Sequence, residues 1–115
     1  MELNNNGEMY RDMTYIDDIV SGILNAIEYS VRKNEKCNDI FNLGNNKPIK
    51  TKDLLDKIEK ALNKKATIIN KITKNESFYT NANIEKAKKV LRYTPKTEFE
   101  DGIKQFINWY VNYAK

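Results

Sequence analysis

The side chains best suited to bind an anion lie in one decapeptide, R-D-M-T-Y-I-D-D-I-V, which begins at Arg11. Arg11 precedes a predicted helix, and its guanidinium presents five fixed donors that suit phosphate or carboxylate. Asp17 and Asp18 stand where a helix start favours acceptors and negative charge, so their first predicted role is capping. A structural salt bridge from Arg11 to Asp12 or Asp17 is the alternative, and spacing alone does not decide between them.

The composition limits the chemistry that the chain can perform. None of its 115 residues is histidine, which excludes His-based acid–base and nucleophilic catalysis. Cys37 is the only cysteine, so it cannot form an intramolecular disulfide, and nothing near it in sequence predicts a metal site. The 20 basic and 16 acidic residues give a net charge of +4. Because the lysines are scattered and no recognition motif is present, nucleic acid is not an expected partner.

Size and hydropathy predict one domain over residues 1–115, since 13.5 kDa allows one modest core. No apolar run approaches the roughly 20 residues of a membrane span. The N-terminal residues show neither the basic nor the apolar region of a secretory signal. We therefore expect a cytoplasmic protein without membrane contact.

Apolar residues recur at helical spacing in four places. They predict helices at 17–32, 51–63, 84–91 and 98–113. Thr51 and Asn83 are the expected N-caps of the second and third helices. Thr97 and Glu100 have the spacing of a capping box for the fourth. The inward faces of the first and last helices are predicted to include Val20, Ile23, Leu24, Ile27, Val31, Phe106, Tyr110 and Val111.

Strands are predicted between these helices. Residues 39–43 form a short apolar run that Gly44 stops, and they are expected to be buried in a parallel sheet. Residues 66–72 are rich in β-branched side chains and predict a second strand. Residues 1–9 read as a loop or a strand remnant, and residues 34–38 as a charged loop. Strands alternating with helices are typical of an α/β fold.

Four segments in chain order resemble one family. They are R-D-M-T-Y-I-D-D from Arg11, F-N-L-G-N from Phe41, L-R-Y-T-P-K-T from Leu91, and G-I-K-Q-F-I-N-W-Y from Gly102. They are similar to R-D-[FY]-[TI]-[YH]-[IV]-D-D, Y-N-[IL]-G-N, L-G-Y-x-P-x-T and G-[IV]-x-x-F-[VI]-x-W-Y of the NAD-dependent nucleotide-sugar epimerases, which are extended short-chain dehydrogenase/reductases of the UDP-glucuronate 4-epimerase type. The resemblance implies the C-terminal part of a Rossmann-like fold, with about four helices and two or three short strands.

The resemblance also implies a substrate-binding site. Arg11 matches the arginine that contacts the UDP diphosphate, and a bidentate charge-assisted contact suits it. Met13 stands at the family's aromatic position, and Asn83 stands at the acid that helps to hold the ribose. Arg92 replaces a family glycine, so it must avoid or tolerate a positive φ. Asn42, Asn45 and Asn46 are interpreted as turn residues rather than sugar ligands.

The cofactor machinery of the family is not expected in this chain. Its four glycines cannot form the G-x-x-G-x-x-G turn that binds the dinucleotide pyrophosphate. Tyr29 and Lys33 have the Tyr-x-x-x-Lys spacing of the family's catalytic pair, but that pair lies upstream of the R-D motif in the family. We therefore interpret Tyr29 as a helix residue, and predict no catalytic, cofactor-binding or metal-binding residue.

Three hypotheses follow. The favoured one is a substrate-binding fragment of an NAD-dependent UDP-sugar epimerase. It is inactive alone and would act only with a Rossmann half, which is supplied by a separate chain or was lost by gene truncation. The second is a stand-alone UDP-sugar-binding or protein-interaction domain without enzymatic activity. The third, a small basic nucleic-acid binder, is the weakest. Under the first hypothesis the isolated chain should expose apolar surface and an unpaired strand edge.

Overall fold

The computed structural model describes residues 1–33, 36 and 38–113. Within these residues four α-helices and four short strands form a mixed α/β fold, as predicted. Their bounds are β1 Glu2–Asn4, β2 Tyr10–Arg11, α1 Ile16–Lys33, β3 Ile49–Lys50, α2 Thr51–Leu62, β4 Ile69–Lys71, α3 Glu85–Leu91 and α4 Phe99–Tyr113, and a 3-10 turn at Asn5–Gly7 joins β1 to β2. Cys37 and residues 34 and 35 of the predicted loop lie outside the described part.

The strands form two small sheets. β1 pairs with β4 in parallel, with Leu3 opposite Asn70. β2 pairs with β3 in an antiparallel arrangement, with Arg11 opposite Ile49. The strand predicted at 66–72 is therefore present but shorter, and the N-terminal segment supplies its partner. Two residues are too few for a periodicity signal, which is why β3 was not predicted.

The strand predicted at residues 39–43 is wrong. This segment is not hydrogen-bonded into either sheet, and Ile40 is 81% exposed. A strand needs a neighbour, and the described residues place none beside it. Its other apolar side chains, Phe41 and Leu43, pack instead against the small core between α1 and α3.

The bounds of the helices agree with those predicted from periodicity to within two residues. The residues that cap them, however, differ from those predicted. Lys50, not Thr51, is the N-cap of α2. The Thr51 N–H and hydroxyl both donate to the Met9 carbonyl, at 2.9 and 3.1 Å. The predicted capping box at α4 is also wrong. The Thr97 N–H donates to Asp18, and the Glu100 carboxylate pairs with Lys57 of α2, so both groups serve tertiary contacts.

The principal core lies between α1 and α3. Ile84, Ala87, Leu91 and Tyr93 are at most 3% exposed, and Phe41 and Leu43 pack beside them. Arg92 ends α3 with φ of 57°, so it tolerates the left-handed conformation that a glycine would adopt without strain. Leu3, Met9 and Leu55 are the other buried apolar residues.

The predicted inward faces of α1 and α4 are largely uncovered. Exposed fractions between 43% and 73% are found at Val20, Ile23, Leu24, Ile27, Val31, Phe106, Trp109, Tyr110 and Val111. The accessible surface is 8578 Å², whereas a compact monomer of this mass exposes about 6500 Å². The radius of gyration is 17.2 Å, against about 13 Å for a compact domain. Periodicity identified the apolar faces correctly, but the described residues do not cover them.

Candidate functional site

Arg11 lies at the end of β2, with its side chain 22% exposed. Its Nη1 donates to the Tyr10 carbonyl at 2.7 Å, and its Nη2 lies 2.8 Å from Glu76 Oε1. The salt bridge considered from the sequence is therefore formed, but with Glu76 rather than Asp12 or Asp17. An anion that reaches this guanidinium must share its donors with a carboxylate.

Glu76 is held in place by three donors. Besides Arg11, Asn4 Nδ2 and Thr73 Oγ1 donate to its Oε2 at 3.0 and 3.1 Å. Desolvation alone would raise the pKa of the Glu76 carboxyl, but these hydrogen bonds outweigh it and hold that pKa below its usual value. Glu76 is thus an anion that anchors the loop after β4 against the N-terminal strands.

Asp12 joins three loops. Its Oδ1 accepts from the Asn45 N–H at 3.1 Å, and its Oδ2 accepts from the Asn46 and Ala82 N–H groups at 3.0 and 3.1 Å. The loop before α1, the turn at 44–46 and the segment before α3 therefore meet at one carboxylate. Sequence analysis missed this role because the partners lie 33 to 70 residues away, beyond any local pattern.

Asp18 makes a similar contact elsewhere. It is buried, with 7% exposed, and accepts from the Lys96 and Thr97 N–H groups at 2.9 and 3.0 Å. The capping prediction is therefore wrong for Asp18, whose oxygens attach the segment before α4 to α1. Asp17 remains exposed in the first turn of α1, where its charge opposes the positive end of the helix dipole.

The other two predicted substrate-binding residues, Asn83 and Met13, have different surroundings. Ile84, not the predicted Asn83, is the N-cap of α3. The Asn83 Oδ1 nevertheless accepts from the Glu85 N–H at 3.1 Å, so the side chain satisfies a free donor at the start of the helix. Met13 is half-buried and lines an apolar cavity of about 210 Å³ with Leu54, Phe99 and Phe106. Asn83 is linked to Arg11 through the Ala82 contact with Asp12.

The asparagines after residue 41 have structural contacts. Asn46 has φ of 57°, the backbone conformation that the turn interpretation requires. Its Oδ1 accepts from Asn81 Nδ2 at 2.9 Å, which adds a side-chain contact between the turn and the segment before α3. Asn42 Nδ2 donates to the Asn83 carbonyl at 3.4 Å.

Tyr29 and Lys33 do not form a catalytic geometry. The Tyr29 hydroxyl donates to Asp39 Oδ2 at 2.7 Å, and the Lys33 Nζ lies 5.7 Å from the centre of the Tyr29 ring. The hydrogen bond to Asp39 raises the pKa of Tyr29. A catalytic tyrosine of this kind needs its pKa lowered, so the arrangement agrees with the structural interpretation.

The described residues also show no feature of a metal site or of a membrane span. No group of three or more acidic or cysteine ligands is placed to hold a metal ion. None of the helices in this part of the chain is long and apolar enough to cross a membrane.

The fold is that of a nucleotide-sugar enzyme of the short-chain dehydrogenase/reductase class. The structure superimposes on UDP-glucose 4-epimerase of Thermotoga maritima with a TM-score of 0.83, over 100% of this chain and 36% of that one at 23% identity. It also matches UDP-glucuronic acid 4-epimerase of Bacillus cereus, solved with UDP-glucuronic acid and NAD, with a TM-score of 0.73 and 32% identity over 90% of this chain and 32% of that one.

Within this class, the amino-acid sequence is similar to that of epimerases. The chain is 43% identical over 112 residues to an uncharacterized protein of Methanocaldococcus jannaschii, covering 96% of this chain and 33% of that protein. It is 36% identical over 121 residues to UDP-glucuronate 4-epimerase 2 of Arabidopsis thaliana, covering 96% of this chain and 28% of that enzyme. No protein-family model matches. The chain is therefore related to the NAD-dependent nucleotide-sugar epimerases, and it spans about a third of the length of these relatives.

Proposed function

We propose that residues 1–115 form the substrate-binding portion of an NAD-dependent UDP-sugar epimerase, active only with a dinucleotide-binding part and located in the cytoplasm. In this proposal Arg11 binds the diphosphate of a UDP-sugar such as UDP-glucuronate, while Met13 and Asn83 flank it. The 36% identity to a UDP-glucuronate 4-epimerase supports the substrate class. The dinucleotide-binding part belongs either to a separate chain or to the same polypeptide.

One observation carries the two-part proposal, namely the uncovered apolar surface of α1. Five large side chains along this helix, Val20, Ile23, Leu24, Ile27 and Val31, are 43–73% exposed. Contiguous apolar surface of this kind marks an interaction site. The surface excess over a compact monomer, about 2000 Å², is larger than the roughly 800 Å² that each partner buries in an interface of standard size. The unpaired segment 39–43 lies beside the same core and agrees with a missing neighbour.

The residues of this chain do not fit the cofactor. A dinucleotide pyrophosphate needs a glycine-rich turn leading into a helix N-terminus. Gly22 and Gly102 lie inside helices, Gly44 packs against Asp12, and Gly7 packs against Lys52. The proposal therefore assigns NAD, which supplies the hydride transfer, to the dinucleotide-binding part, and assigns sugar-nucleotide binding to this chain.

A reconstitution experiment tests the proposal. The chain is mixed with the two thirds of the Bacillus cereus enzyme that it does not match, and 4-epimerisation of UDP-glucuronate is measured with NAD. Activity that requires both pieces and falls with Arg11→Ala supports the proposal. A stable complex that is inactive under all ratios counts against the epimerase assignment, whereas no complex at all counts against the docking surface.

The second candidate is a stand-alone UDP-sugar-binding domain without enzymatic activity. It is favoured by the internal bonding of the site, since Asp12, Arg11 and Glu76 make their contacts within this chain. A thermal melt with and without millimolar UDP-glucuronate tests it, because a ligand that binds the native state at 100 times its Kd stabilises it by about 2.7 kcal/mol. A ligand-dependent rise that disappears with Arg11→Ala supports binding without a partner, and an unmoved transition contradicts it.

A further inference from the structure

The carboxylate of Asp12 is the point at which the candidate ligand-binding loops are joined. It accepts three backbone N–H bonds of 3.0 to 3.1 Å, from Asn45, Asn46 and Ala82. Each of these segments carries polar side chains at or beside the bonded residue. Asp12 follows Arg11 directly in sequence, so fixing Asp12 also fixes the backbone from which the Arg11 side chain extends.

The neighbouring residues leave little freedom at this junction. A Cβ on Gly44 would lie 2.6 Å from Asp12 Oδ2 and 2.5 Å from the Ala82 Cβ, so only glycine allows this close approach. The Tyr93 hydroxyl donates to the Gly44 carbonyl at 2.9 Å from within the core. The turn is therefore fixed from one side by Tyr93 and from the other by Asp12.

We propose that Asp12 is a positioning residue for UDP-sugar binding, which sets Arg11 and Asn83 at a fixed separation without touching the ligand itself. This inference rests on the proposed function of the Arg11 site. Its physical basis is that a carboxylate has two oxygens that both accept, and here both are used. An asparagine at this position has one accepting oxygen, and its NH₂ group would face an N–H donor.

Asp18 provides a matched control. It is also an aspartate that accepts two backbone N–H bonds, but its partners, Lys96 and Thr97, belong to the segment before α4. Asp12→Asn and Asp18→Asn therefore remove comparable hydrogen bonds from one fold. Only the first loosens the loops that carry Arg11 and Asn83. A role limited to stability would affect both variants alike.

The experiment measures the affinity of the full chain for UDP-glucuronate by calorimetry, alongside the melting temperature, for the parent, Asp12→Asn and Asp18→Asn. We expect Asp12→Asn to weaken binding at least tenfold, while Asp18→Asn lowers the melting temperature by a similar amount and stays within twofold of the parent affinity. If Asp12→Asn fails to fold, Gly44→Ala disturbs the same junction and should weaken binding likewise.

The possible outcomes distinguish a failure of the positioning role from a failure of the proposed UDP-sugar site. Equal losses of affinity in Asp12→Asn and Asp18→Asn, or parent-like binding in Asp12→Asn, overturn the positioning role while leaving UDP-sugar binding intact. If the parent chain binds no UDP-glucuronate at millimolar concentration, either alone or mixed with the dinucleotide-binding part, the proposed site is overturned and, with it, this inference.

Discussion

Arg11 and Glu76 form an ion pair, with 2.8 Å between Nη2 and Oε1, although 65 residues separate them in sequence. Both side chains are only partly exposed, at 22% and 34%. The arginine that the family motif assigns to a diphosphate is thus engaged by a carboxylate of the same chain. The pair also ties the loop after β4 to the end of β2. Breaking it should therefore lower the stability of the fold and, under the proposed function, change ligand binding.

Glu76→Gln should reduce the acid sensitivity of the fold. The pKa of Glu76 lies below its ordinary value of 4.5 in the native chain. A carboxyl whose native pKa is depressed contributes stability that is present above the unfolded pKa and is lost as pH falls through the native one. We therefore expect the melting temperature of Glu76→Gln to be lower than that of the parent at pH 7, and the difference to shrink between pH 5 and pH 3.

The control for this prediction is Glu2→Gln, which removes a carboxylate from an exposed pair with Lys71. Melting is followed by circular dichroism across the same pH range. A difference between Glu76→Gln and the parent that stays constant from pH 7 to pH 3 would contradict the assigned contribution of the ion pair.

Local periodicity was sufficient to predict the helices. The apolar spacing from Ile19 to Val31 placed α1 within one residue of Ile16–Lys33. On α3, three of the apolar residues at helical spacing, Ile84, Ala87 and Leu91, are buried, whereas Val90 is 37% exposed. These predictions succeeded because the signals of a helix, namely its apolar spacing and its side-chain pairs, involve residues that are close in sequence.

The predictions that failed depended on distant residues. Asp18 has the sequence position of a cap, yet its oxygens bind N–H groups 78 and 79 residues away. Residues 39–43 have strand composition, but strand formation depends on a neighbour that composition does not reveal. Tyr110 was predicted to face inward, yet it is 52% exposed. An amphipathic pattern indicates that a face needs covering, but not what covers it.

Tyr93→Phe should destabilise the fold through one unsatisfied group. The Tyr93 side chain is 1% exposed, and its hydroxyl donates to the Gly44 carbonyl at 2.9 Å. Removing the donor leaves a buried acceptor unpaired, which costs about 1–3 kcal/mol. Urea denaturation should show this cost as a decrease in the free energy of unfolding. Tyr113→Phe, at a residue that is 77% exposed, should change that value by less than about 0.5 kcal/mol.

Two glycine substitutions should have different effects. Gly44→Ala places a Cβ within 2.6 Å of both Ala82 and Asp12, and overpacking of this kind costs about 1–3 kcal/mol. Gly102→Ala meets the Tyr15 ring no closer than 3.3 Å and gains up to about 1 kcal/mol of helix propensity within α4. Urea denaturation should therefore show a clear loss for the first and little change or a gain for the second. Equal losses would mean that the Asp12 junction is not tightly packed.

Ile27→Lys should leave the fold intact while it abolishes docking. Ile27 lies in the middle of α1 and is 56% exposed, so a lysine there stays in water and has at least as good a helix propensity. We expect an unchanged melting temperature. In the reconstitution assay, however, a charge in the centre of the apolar face would be buried without a partner, which is strongly unfavourable. Complex formation, measured by analytical ultracentrifugation, should therefore be lost.

Ser21→Lys is the matched control, because it adds the same charge to an exposed position of the same helix outside the apolar stripe. It should retain complex formation. Leu91→Ala, in contrast, should destabilise the fold itself, since that side chain is 3% exposed and its truncation should cost about 2–5 kcal/mol. If Ile27→Lys still forms the complex with parent-like affinity, α1 does not provide the docking surface. The exposed aromatic side chains of α4, Phe106, Trp109 and Tyr110, then remain as the surface that the partner must cover.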